Sequence, residues 1–205
     1  MTWLVGREAD YGLTSADTAR LTKQEEESQR MEKRDFLRMV QHRTARVAVS
    51  ASATRGQGAG GVVESARDFL STLKLAQFQT KDQRTFARRL NAVTKRLVAR
   101  LPKRATSWGL ARKLLNIFLR NSLYTTYLAR EYGLATSERF LEIPLDSITA
   151  RRIRQKAPAL PRWLGVKHLD PDRSTAYQAA ALAIAGRKGV ARVHLDTFWW
   201  GARKG

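Results

Sequence analysis

Two side chains in this sequence have the type and setting for covalent chemistry. Lys113 lies in GLARKLLNIFLR, residues 109–120, an apolar segment of helical spacing that opens at a glycine. In helical projection Lys113, Asn116, Arg120 and Tyr124 share one line, and leucines, Ile117 and Phe118 cover most of the rest. An amine on such a helix loses water and has Arg112 and Arg120 beside it. Both effects lower a lysine pKa and make the amine a nucleophile. The same stripe reads equally as an ordinary exposed face. Asp146 lies in EIPLDSITARRI, residues 142–153, between Pro144 and a helix. A carboxylate there caps the helix; beside a reacting amine it also shuttles a proton and stabilises positive charge.

Helices must position these groups. A helix capped at Ser15 or Asp17 is expected to run to about Val49, polar almost all round in its first half. Residues 1–14, broken by Gly6 and Gly12, are expected to carry little order. SASATRGQGAGG, residues 50–61, reads as a flexible linker. The expected organisation is therefore a helical extension over 1–49, a linker over 50–61 and a helical domain over 62–205. Within that domain Val62, Val63, Ala66, Phe69, Leu70 and Leu73 mark one amphipathic helix. Phe86, Leu90, Val93, Leu97 and Leu101 mark the next, which Pro102 ends. The Lys113 helix is expected from about Ser107 to about Tyr132, with Gly133 as its stop. A short helix over 137–142 precedes the one capped at Asp146 or Ser147. An Ala-rich helix then follows the Pro-rich loop PALPRWLG. Only VARVHL, residues 190–195, allows a short strand. The fold class is all-α.

Lys and Arg number 38 against 18 Asp and Glu, a formal charge of +20. Such an excess repels itself and is matched by a polyanion, with strongly salt-dependent binding. The expected phosphate contacts are Arg88, Arg89, Lys95, Arg96, Lys103, Arg104, Arg112, Arg120, Arg151 and Arg152, which position a strand without reading its sequence. The absence of cysteine excludes disulfides, Cys-ligated zinc and iron–sulfur clusters on this chain. His42, His168 and His194 show no metal-ligand spacing, so no metal or cofactor is expected. No apolar run spans a membrane, and the N-terminus has neither a signal-peptide core nor, given Glu25, Glu26 and Glu27, a transit-peptide composition. The expectation is a cytoplasmic, nucleoid-associated monomer that binds DNA or RNA and no membrane.

Together the two segments resemble the helix-hairpin-helix DNA glycosylase superfamily. Its catalytic-lysine segment, Gly-apolar-Gly-Arg-Lys-Thr-Ala-Asn-apolar-apolar-Leu, is matched at Gly109, Arg112, Lys113, Asn116 and Leu119. Its apolar-Pro-apolar-Asp-Thr/Ser motif is matched at Pro144, Asp146 and Ser147, with Arg151 or Arg152 beyond. The long Lys-to-Asp interval is similar to that of the archaeal 8-oxoguanine glycosylase branch. Ala111 stands where the family has its second hairpin glycine, and Leu114 where a hydroxyl residue is frequent. The resemblance covers residues 62–205 in helical layout and not the N-terminal extension. It implies a base-excision DNA glycosylase with β-lyase activity, with Lys113 as nucleophile and Asp146 as its carboxylate. It also implies a pocket for a flipped base, 8-oxoguanine among the candidates. Trp108, Asn116, Trp163, Phe198, Trp199 and Trp200 are the residues considered for that pocket. Two other readings stay open: a non-catalytic basic nucleic-acid-binding protein on a helical scaffold, and a ribosome- or RNA-associated helical protein.

Overall fold

Eight α-helices joined by short 3-10 turns make up the residues that the computed structural model describes, namely 15–54, 56, 60–105 and 107–201. Among them there is no strand, so the fold is all-α. Residues 1–14, where little order was expected, lie outside the described residues. The helices are α1 (Ser15–Ala48), α2 (Val62–Ser71), α3 (Gln83–Arg100), α4 (Trp108–Tyr124), α5 (Thr126–Glu131), α6 (Ser147–Lys156), α7 (Pro171–Gly186) and α8 (Leu195–Gly201). The chain divides into two units after Leu37. The boundary thus comes before the Gly-rich segment at 50–61. In the first unit residues 23–36 are exposed throughout, a solvated stretch of α1.

In the second unit the helix ends follow local chemistry. Asp82 accepts from the Thr85 N–H at 2.7 Å to start α3, and Pro102 follows its last turn. Ser107 accepts from the Leu110 N–H at 3.3 Å to start α4. Asp170 caps α7, whose first residue is Pro171. The single helix expected over 107–132 breaks at Thr125. The Thr125 hydroxyl donates to the Asn121 carbonyl at 2.8 Å, and its N–H turns to Ser122. The 190–195 segment is no strand: Arg192–His194 form a 3-10 turn and Leu195 opens α8. The Arg192 side chain donates to the carbonyls of Leu141 (3.1 Å) and Phe140 (2.9 Å), which draws the segment against the loop before α6.

Buried apolar faces meet around α4. Leu110, Leu114, Leu115 and Phe118 are fully buried, and α3 packs along this helix. Phe86 lies between Phe78 (5.7 Å) and Phe140 (6.0 Å). A second cluster joins α6, α7 and α8 through Ile143, Ile153, Tyr177, Ile184, Leu195 and Trp199. Between these clusters runs a buried polar bridge. Arg112 makes a two-pronged pair with Glu142, Nε to Oε2 at 2.8 Å and Nη2 to Oε1 at 2.9 Å. Its Nη1 donates to Asn91 and Thr94.

Candidate functional site

The α4 stripe opens onto a cleft of about 1160 Å³. Lys113, Ile117, Arg120, Asn121 and Tyr124 form its floor, at spacings of four, seven, eight and eleven from the lysine. The start of α6 forms one wall through Pro144, Asp146, Ser147 and Ile148. Leu164 to His168 form another, and Asp196 and Thr197 of α8 a third. Gly109 allows this assembly. A Cβ there would overlap the Val166 carbonyl oxygen and lie 2.6 Å from Leu169 Cβ, so only glycine lets the 166–169 segment lie against α4. The glycine of the lysine motif therefore serves close helix packing. Ala111, two residues on, is fully buried with its N–H bonded to the Ser107 carbonyl, so this turn has no backbone N–H at 111 to offer a phosphate.

Lys113 is half-buried. Its Nζ donates to the Ala53 carbonyl at 2.9 Å. Burial lowers its pKa below the 10.5 of a free lysine, while the charges of Asp146 and Asp196 pull it back up. Lysine and both carboxylates thus meet at one cleft. Asp146 is the N-cap of α6: Oδ1 accepts from the N–H groups of Ile148 and Thr149, each at 2.9 Å, and the Thr149 hydroxyl accepts from the Asp146 N–H at 2.8 Å. Oδ1 alone serves the cap. Asp196 is ion-paired with Arg120 through Nη1 and Oδ2. At the far end of the floor Tyr124 OH is 2.7 Å from His194 Nδ1, whose Nε2 is 2.6 Å from Glu138. The Tyr124 and His194 rings stack at 5.6 Å.

The structure separates the residues expected from the sequence. Lys113, Asp146 and Arg120 come together at the cleft. Asn116 does not; it is buried and its amide donates to Glu142 at 3.1 Å. Arg112, expected on a phosphate, is 6% exposed and committed to Glu142, with its guanidinium over the Trp108 ring. Trp108, Trp163 and Trp199 pack on the α6–α8 core, and none lines the cleft. Phe198 is exposed, also away from the lining, and Trp200 is outside the residues whose side chains are described. Arg88, Lys95, Arg96, Lys103, Arg104, Arg151 and Arg152 are exposed. Arg89 is half-buried with Nη1 on the Gln77 carbonyl at 2.6 Å. Leu164, 49% exposed, with Ile117, Val47, Ile148 and Val166, supplies apolar surface to the cleft in place of tryptophan. Sequence reasoning gave little weight to Asp196 and His194 and missed Ala53, Leu164 and Glu138; only the proximity of His and Asp in VHLDTF signals the first pair. Among the described residues no group of three His, Asp or Glu side chains is placed to share a metal ion, and no helix is long and apolar enough to cross a membrane.

No protein-family model matches the chain, and comparisons with curated proteins and with solved structures gave no match.

Proposed function

We propose that this protein acts on DNA as a glycosylase with lyase activity, using Lys113 as an amine nucleophile. The observation that carries the reading is a desolvated lysine facing two carboxylates across one open cleft. A neutral amine keeps its lone pair when it donates one N–H to Ala53, and that bond aims the nitrogen. The amine attacks the sugar C1′ and the base leaves with the bonding pair. A carboxylate takes the proton released from nitrogen, and Asp146, with Oδ1 on the cap, offers Oδ2 for this. Ring opening gives the Schiff base, and loss of a C2′ proton expels the 3′ phosphate. A cleft of about 1160 Å³ has room for a flipped nucleotide. Ile117 and Leu164 offer it apolar contact.

Borohydride trapping tests this. Duplexes carrying an abasic site or 8-oxoguanine are incubated with wild type and with Lys113→Gln. A covalent adduct that disappears in the variant supports the reading. No adduct with DNA binding intact removes it in favour of a non-catalytic nucleic-acid-binding protein. That second reading is favoured by the exposed arginines and lysines of α3 and α6, which ask only for phosphates, and by the cap that accounts for Asp146 structurally.

A further inference from the structure

The second unit's part of α1 carries a groove of arginines beside the cleft. Two rows run along the helix at a spacing of four: Arg38, His42 and Arg46, and next to them Met39, Arg43 and Val47. Arg67 of α2 closes the side, its Nε donating to the Val49 carbonyl at 3.1 Å. The hollow measures about 720 Å³ and, among the described residues, is lined by four arginines, one histidine and no acidic residue. The opposite face of the helix is anchored. Ala45, Ala48 and Val49 are fully buried, and Gln41 Nε2 donates to the carbonyls of Leu70 (3.1 Å) and Leu73 (2.8 Å) at the end of α2. The arginine rows are therefore held at set spacing and face outward. Met39 and Val47 between them are 65% and 62% exposed. The like charges of Arg43, Arg46 and Arg67 repel one another, and an anion laid across them relieves this.

Val47 borders both this hollow and the Lys113 cleft, so the two are neighbours across one side chain. We propose that the α1 groove is a backbone track for a nucleic-acid strand that passes over Val47 into the cleft. Guanidinium groups pair with phosphate oxygens in a planar fork, and Met39 and Val47 meet sugars or bases. From Arg38 to Arg46 the helix rises about 12 Å, or three to four nucleotide steps of a duplex strand at about 3.4 Å each. A small anion would occupy part of such a row; a polymer uses its length. The acidic residues Glu25, Glu26, Glu27, Glu32 and Asp35 of a second copy are the competing occupant. Two copies of a chain with charge +20 repel, which favours nucleic acid. The inference rests on the nucleic-acid partner of the proposed function and not on its amine chemistry.

The test uses the full chain and fluorescence anisotropy on a labelled abasic duplex over a range of salt. Wild type is compared with Arg43→Gln/Arg46→Gln, both positions being exposed, with a thermal melt to confirm the fold. The expected result is a salt slope smaller by about 1.8, at 0.9 per lost contact, and affinity down at least about tenfold. Lys113→Gln should change the slope by no more than about 0.9. Unchanged slope and affinity in the double variant overturn the proposal, even where wild type gives the borohydride adduct. A missing adduct with the slope change intact removes the amine chemistry and supports the track. Dimerisation in light scattering that the double variant abolishes, with DNA binding unaltered, overturns it in favour of a second copy. Binding of phosphatidylserine vesicles with no binding of DNA or RNA overturns it as well.

Discussion

The Lys113 amine reaches the carbonyl of Ala53, a residue sixty positions earlier in the chain, at 2.9 Å. Ala53, in the small-residue segment after α1, is thereby part of the cleft wall and orients Lys113. Burial there disfavours the ammonium in the folded protein. The folded pKa is depressed, so between that value and 10.5 the unfolded chain binds more protons, and stability rises with pH through this window. Below the folded value the penalty of the buried charge is fully present. Lys113→Met should therefore stabilise the protein relative to wild type at neutral pH, with the advantage shrinking as pH approaches 10.5. Urea unfolding of both proteins at several pH values measures this; parallel stability curves would remove the desolvated amine.

Glu142 should dominate acid stability among the buried carboxylates. Burial raises its pKa, but the Arg112 guanidinium, with help from Arg192 and Asn116, outweighs this and holds it below the usual value of 4.5. A depressed folded pKa contributes stability that is present above 4.5 and lost as pH falls through the lowered value. Glu142→Gln leaves Arg112 charged and buried without its partner, and should cost about 3–5 kcal/mol at neutral pH. A double variant, Glu142→Leu with Arg112→Met, should cost less than the sum of the two single changes, because each single change strands a buried charge. Denaturant melts of the four proteins give the coupling, and strict additivity would count against the pair.

What the sequence shows and hides follows from distance along the chain. Local signals were legible. The Asp146 cap, the Pro102 boundary and the all-α class came from neighbouring residues. The α4 stripe was legible except at its edge. Asn116, three after Lys113, is rotated about 60° back around the axis and falls toward Glu142, whereas Ile117 falls in the cleft. Partnerships over long separations left no local trace. Arg112 reads as one more cation in a basic chain until Glu142, thirty residues on, meets it. The 50–61 segment reads as linker because Gly and Ser carry no side chain that would announce a carbonyl contact. Trp108, Trp163 and Trp199, candidates for a pocket by their rings alone, pack on the α6–α8 core, as large apolar area more often does.

Gly109 ties the fold to the cleft. Replacement of a helical glycine by alanine ordinarily stabilises, by up to about 1 kcal/mol in a helix interior and less in the first turn, where Gly109 lies. Here the added methyl meets the Val166 carbonyl and Leu169 Cβ, atoms on or next to backbone that cannot rotate away. Overpacking of this kind costs about 1–3 kcal/mol, so the net effect of Gly109→Ala should be destabilising. The displaced 166–169 segment carries Val166 and His168 at the cleft, so DNA affinity should fall as well. A melt and an anisotropy titration check both, and a variant more stable than wild type would show that the close contact is relaxed in solution.

At the other end of α4's floor, the hydrogen-bond directions follow from geometry whenever the His194 ring is neutral. The Glu138 carboxylate only accepts, so His194 Nε2 carries a proton. In the neutral ring Nδ1 then accepts from Tyr124 OH. With its own proton given to the imidazole, the Tyr124 oxygen accepts from Thr197, 3.2 Å away. Donors thus run from Thr197 at the cleft through Tyr124 and His194 to Glu138. Tyr124 lies eleven residues beyond Lys113, about 16 Å along the helix, so the chain acts on whatever occupies the distal cleft and not on the amine. Tyr124→Phe should leave the fold unchanged, the side chain being 47% exposed, and should leave borohydride trapping at the wild-type rate. Nitrogen-15 spectra of the histidine rings, recorded at a pH high enough to make the ring neutral, should show His194 in the Nε2–H form in both proteins, with the Nδ1 resonance moving downfield once its phenol donor is lost. An Nδ1 resonance that does not move would mean that the Tyr124–His194 bond is absent in solution.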